Sequence, residues 1–67
     1  MNDYMHRIPK IDSLGNKLKI GDKAFIYSER GGIHYVGVIQ QIGGKRWLVV
    51  DENMRIGGIG NCSIKKI

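Results

Sequence analysis

Arg46-Trp47-Leu48-Val49-Val50, framed by Gly43-Gly44 before it and Asp51-Glu52-Asn53 after it, decides the fold. An aromatic residue, a leucine and two β-branched valines suit a pleated, half-buried strand. The glycine pair accepts the positive φ that a tight hairpin turn requires. Alternation places Leu48 and Val50 on a buried face and turns Trp47 and Val49 outward.

Upstream of the hairpin, His34 to Ile42 reads as the partner strand. Its alternation breaks at Gln40-Gln41, which predicts a bulge or strong bend there. Before it, Lys23-Ala24-Phe25-Ile26-Tyr27-Ser28 follows the turn-like Gly21-Asp22, with Ala24 and Ile26 on one face and Phe25 and Tyr27 on the other. Glu29-Arg30-Gly31-Gly32 is the loop between these two strands. Downstream, a short strand spans Met54 to Ile56 or its neighbour, glycines at 57, 58 and 60 make an irregular connection, and Ser63-Ile64-Lys65-Lys66-Ile67 closes the chain. The strands are thus expected near 23–28, 34–42, 46–51, 54–57 and 63–67. Ile26, Ile39, Leu48, Val50 and Ile64 are expected to share one core.

No window repeats apolar positions at helical spacing, and the ten glycines interrupt every candidate, each costing a helix about 1 kcal/mol relative to alanine. Residues 1–15 show no clean period and contain the only proline, Pro9. They read as an extended N-terminal arm, ordered from Ile8 onward, with Asp12-Ser13-Leu14-Gly15-Asn16 as a turn. Leu18 and Ile20 alternate with Lys17 and Lys19 and suggest one more short strand. The expected architecture is all-β: an arm over 1–15 and a small five-stranded SH3-like barrel over 16–67.

Sixty-seven residues hold a single domain, and a chain this short buries only about 60% of the surface its unfolded form exposes. Cys62 is the only cysteine, so no intrachain disulfide forms, and a lone thiol points to a reducing, cytoplasmic setting. Residues 1–7 lack the apolar run of a signal peptide. No stretch approaches the roughly 20 apolar residues of a membrane span. The eleven Lys and Arg exceed the six Asp and Glu by a net charge of +5, a field that attracts phosphate backbones or an acidic protein face, or simply aids solubility.

The order of these pieces resembles the KOW subset of SH3-like barrels, found in NusG-type transcription elongation factors and some large-subunit ribosomal proteins. Gly21-Asp22-Lys23-Ala24-Phe25-Ile26 is similar to the opening of that family. Gly37-Val38-Ile39-Gln40-Gln41-Ile42 is similar to its Gly-x-apolar-x-x-apolar segment, Trp47 to Val50 to its third strand, and Ser63-Ile64-Lys65-Lys66-Ile67 to its close. Ala24 departs from the pattern, standing where a larger aliphatic residue is usual. The resemblance implies a small barrel that binds RNA, DNA or protein through its loops, and fold alone does not choose among these.

Lys45-Arg46-Trp47 is the most informative group. An outward Trp flanked by cations is a stacking platform for a base with phosphate contacts beside it, or an interface anchor, or a cap over an open barrel end beneath the arm. Tyr27 and Tyr35 either line a ligand groove or cover the base of the long loop, and Phe25 is assigned to a satellite cluster with the arm. Lys23, Arg30 and Arg55 complete the candidate cations. Lys65 and Lys66 read as edge protection.

His6, His34 and Cys62 match no zinc spacing. Glu29-Arg30-Gly31-Gly32 lacks the length and the Lys-Ser/Thr of a phosphate-binding loop. No nucleophile and base stand at suggestive spacing, and Asp22, Asp51 and Glu52 read as turn formers. The expectation is a non-enzymatic binding module without metal, cofactor, membrane or small-molecule substrate, monomeric or weakly dimeric. Its leading partner is nucleic acid, bound through Lys23, Tyr27, Arg30, Tyr35, Lys45, Arg46, Trp47 and Arg55. The alternative partner is an acidic protein surface on which it docks as an interaction or inhibitory domain.

Overall fold

β-branched and aromatic residues fill five strands in a computed structural model that describes residues 6–67; residues 1–5 of the expected arm lie outside the described residues. The strands are β1 (Lys23–Ser28), β2 (Gly32–Ile42), β3 (Lys45–Asp51), β4 (Met54–Ile56) and β5 (Ser63–Lys66). No helix occurs among the described residues. Gly43 and Gly44 join β2 to β3 with φ of 62° and 79°, the paired positive angles of a type I′ hairpin that keeps flanking strands in the correct twist. All ladders are antiparallel, and the sheet order is β4-β3-β2-β1-β5. β4 and β5 are the two edges, and no ladder joins them.

The β2–β3 ladder runs unbroken from Val38↔Val49 through Gln40↔Trp47 and Gln41↔Arg46 to Ile42↔Lys45. The bulge expected at Gln40-Gln41 is therefore absent. Both glutamines are exposed because β2 there runs past the end of the core, where neither face needs an apolar side chain. The irregularities lie elsewhere. His34 is skipped between Ile26↔Tyr35 and Tyr27↔Ile33, and Val50 between Val49↔Arg55 and Asp51↔Met54.

One face of the sheet carries the core. Ala24, Ile26, Ile39, Leu48 and Ile64 are buried there, with Ile8 and Leu18 closing over them from the N-terminal segment. Ile26, Ile39, Leu48 and Ile64 meet the expectation, and Val50 does not: it is only half-buried. A bulge breaks the period of two, so the stripe begun at Leu48 ends before Val50. Ala24 faces Gly37 across the β1–β2 ladder. A Cβ on Gly37 would lie 2.4 Å from the Val49 carbonyl oxygen, so β3 passes too close to β2 at this position to admit a side chain.

The turn expected at Asp12–Asn16 is present and is organised by Asp12. Its buried carboxylate accepts the backbone N–H groups of Leu14 and Asn16 on Oδ1 (2.9 and 2.8 Å) and that of Lys66 on Oδ2 (3.0 Å). The Ser13 N–H donates to the Ile64 carbonyl at 2.9 Å, which fixes the turn to β5. The strand expected around Leu18 and Ile20 reduces to an isolated Ile11↔Lys17 bridge. The reason is a turn at residues 19–22, where Asp22 Oδ2 accepts the Lys19 N–H at 2.8 Å and Gly21 takes a φ of 95°. Ile20 consequently sits at the surface while Leu18 is buried.

Burial pushes the Asp12 pKa up, but the donated N–H groups of Lys66, Asn16 and Leu14 outweigh it and hold the carboxyl below the ordinary aspartate value. A depressed folded pKa means stability that is complete above the unfolded value of about 3.9 and lost as pH falls through the folded one. Thermal melts followed by circular dichroism from neutral to strongly acidic pH should show the midpoint dropping in that acid window. Asp12→Asn should lower the midpoint at neutral pH and flatten the acid dependence. An unchanged acid dependence in that variant would mean other carboxylates, such as Asp22, carry it.

Candidate nucleic-acid interface

The buried residues fix which side chains the sheet turns outward. With Ala24, Ile26, Ile39, Leu48 and Ile64 inside, alternation sends Lys23, Phe25, Tyr27, Val36, Val38, Gln40, Lys45, Trp47, Val49, Arg55 and Lys65 to the opposite face. The register lines them up across strands. Lys65 pairs with Phe25, which pairs with Val36. Lys23 pairs with Val38, Val38 with Val49, and Val49 with Arg55. The result is an apolar strip of Phe25, Val36, Val38 and Val49, with Lys23 and Lys65 along one side and Lys45 and Arg55 along the other.

Trp47 holds the second pair of cations. The Lys45 Nζ lies 4.6 Å and the Arg55 Cζ 4.4 Å from the centroid of its ring, and the indole Nε1–H donates to the Ile42 carbonyl at 3.3 Å. Gly57 makes room for this stack, since a Cβ there would lie 2.7 Å from the ring and 3.0 Å from the Lys45 Nζ. Each cation–π contact contributes about 0.5–1 kcal/mol at an exposed site. Neither Lys45 nor Arg55 has a carboxylate partner among the described residues. The indole thus holds two cations, neither of them in an ion pair among the described residues. They also occupy the ring, so Trp47 is a support for cations rather than a bare platform.

Tyr27 carries a weaker version of the same arrangement. The Lys65 Nζ stands 5.1 Å from its ring centroid, the Phe25 ring lies 5.6 Å away, and its hydroxyl shares a 2.9 Å hydrogen bond with Ser13 Oγ. Phe25 is thereby part of the outward face beside Tyr27. Lys65 faces outward opposite Phe25 on the edge strand because Ile64 faces in. The signal for both was present in the alternation of β1 and β5.

Two of the remaining expected site residues, Tyr35 and Arg46, lie on the other side of the sheet, and Arg30 borders the face at Tyr27. Tyr35 packs against the core. Arg46 points to the inner side, where its Nη1 donates to the Leu18 carbonyl at 2.7 Å. Arg30 is on the exposed β1–β2 loop and lines a polar cleft with Tyr27, Ser28, Glu29, Asn61 and Ser63.

Asp51 and Glu52 line one cleft with Val49 and Arg55, and Glu29 lines another with Tyr27, so carboxylates border the face at both ends without pairing to its cations among the described residues. Asp12 and Asp22 serve backbone N–H groups near β5, and Asp22 sits 3.7 Å from Lys66, an exposed pair of little energetic weight. The backbone N–H of Lys19 is the main cause holding the Asp22 pKa below its ordinary value. Asp51 accepts the Asn53 N–H at 2.8 Å in the β3–β4 turn and is the one carboxylate within the five strands. No group of three His, Cys, Asp or Glu side chains among the described residues is placed to hold a metal ion, and none of their helices is long and apolar enough to cross a membrane. Comparison with known families, characterised proteins and solved structures yields no match.

Proposed function

We propose that this chain is a small non-enzymatic nucleic-acid-binding module, built as a KOW-type SH3-like barrel with an N-terminal arm and acting in the cytoplasm. The observation that supports it most is the outward sheet face. Lys23, Lys45, Arg55 and Lys65 stand there beside Phe25, Tyr27 and Trp47, without carboxylate partners among the described residues. Cations interleaved with aromatics are what a phosphate backbone with attached bases requires. The strand order, with β5 returning to the free side of β1, is compatible with a rolled small barrel.

Titration of fluorescent oligonucleotides at several salt concentrations tests the reading. Log affinity should fall linearly with log salt, by about 0.7 per phosphate contact on a single strand. Lys45→Ala and Arg55→Ala should each weaken binding and reduce the slope by about that amount. Arg46→Ala should leave the slope alone, because its guanidinium is on the other side of the sheet. Absence of binding at low salt to any nucleic acid, by a protein shown to be folded, would overturn the assignment in favour of an acidic protein partner.

A further inference from the structure

The strip between the two cation rails is apolar and open. Val36 is 41% exposed, and Ile33 and Ile42, on the same face at either end of β2, are 61% and 42% exposed. Phe25, Val38 and Val49 are half-buried between them. Purely electrostatic binding has no use for such a strip, and a solvated strand face ordinarily carries polar residues. An occupant that brings apolar groups together with a chain of negative charge would fit both the strip and its rails.

Resting on the nucleic-acid reading, we infer that the ligand is a single strand, whose unpaired bases lie on Phe25, Val36, Val38 and Val49 while the flanking cations take its phosphates. The dimensions suit this. Lys23 and Arg55 stand on β1 and β4 of one row, three strand spacings apart, or roughly 14 Å. A base laid on the strip thus has a cation within reach on either side. In a duplex the base faces are already stacked on one another, so the strip would meet only sugar and phosphate and gain nothing from burial. An acidic peptide would satisfy the cations but offers no comparable series of flat rings.

The geometry also divides the work among the aromatics. Phe25 has no cation over its ring among the described residues and stands at the end of the strip beside Lys65, so it is the residue on which a base stacks. Trp47 is a positioning residue that keeps Lys45 and Arg55 raised at the rail.

The test compares three labelled or competing probes at one low salt concentration. These are a single strand of about eight nucleotides, inside the span that single-strand sites occupy, the same sequence as a duplex, and polyglutamate of matched charge as competitor. The single strand should bind at least tenfold more tightly than the duplex and resist the polyglutamate. Val36→Thr, nearly isosteric and at a half-open position, should weaken the single strand severalfold with no change in salt slope and leave the duplex unaffected. Equal or tighter duplex binding would overturn the single-strand inference while the broader nucleic-acid reading stands. Displacement by polyglutamate at equal charge would also overturn it, since charge alone would then explain binding. Failure of every nucleic acid to bind would remove both.

Discussion

Leu48→Ala is expected to unfold most of the molecules at ordinary temperature. Leu48 is fully buried, pairs with Ile39 on one side and Ile56 on the other, and lies at the centre of the single core cluster. Removing a leucine side chain from such a site costs about 2–5 kcal/mol, the transfer loss plus the cavity left behind. A domain of this size rarely has more than about 3–5 kcal/mol in reserve. Loss and reserve are equal within their spread. Urea unfolding followed by circular dichroism would show the midpoint moving to very low denaturant. Val50→Ala is the control, since a half-buried bulge residue should cost much less. A Leu48→Ala protein that unfolds at the parent midpoint would place Leu48 outside the core and put the β3 register in error by one residue.

That register was legible because period two is a local property. Leu48 and its neighbours alternate on their own, Gly43-Gly44 declares a hairpin without outside help, and Ile26, Ile39 and Ile64 follow the same rule. What escaped depends on which backbone passes opposite. Val50 looks like a core residue until β4 skips it. Arg46 looks like Lys45 until the sheet side is assigned, and then it proves to serve the Leu18 carbonyl. Asp12 resembled an ordinary turn former in an aperiodic segment. Its bond to the Lys66 N–H joins residues 54 positions apart, and no local pattern encodes that. On the candidate face, Lys23, Tyr27, Lys45, Trp47 and Arg55 were recognisable as residue types. Their gathering into two rails around an apolar strip required the cross-strand pairs. Alternation alone turns Phe25 and Lys65 outward, and the return of β5 to β1 sets them side by side.

Gly37→Ala should destabilise the protein although alanine is ordinarily the better residue in a strand. Gly37 is not among the glycines with positive φ, so its backbone angles are open to any residue, and shortening the list of unfolded conformations would favour alanine by about 0.4–1 kcal/mol. The opposing effect is steric. The added Cβ would lie 2.4 Å from the Val49 carbonyl oxygen, 2.8 Å from its carbon and 3.2 Å from Leu48 Cγ. Two of those atoms are backbone and cannot rotate away. β2 and β3 would have to separate, weakening the neighbouring Val38↔Val49 pair and disturbing Leu48 at the same time. Overpacking of this kind costs typically about 1–3 kcal/mol, which exceeds the entropic gain and consumes much of a small domain's reserve. Gly31→Ala supplies the comparison, because its nearest contact would be 3.7 Å away on the His34 ring and its φ is also unstrained. Urea midpoints should therefore move in opposite senses, unchanged or raised for Gly31→Ala and clearly lowered for Gly37→Ala. A raised midpoint in Gly37→Ala would mean that β3 does not crowd β2 at this point. The close approach of the Val49 carbonyl to Gly37, next to the Val38↔Val49 pair, would then be wrong.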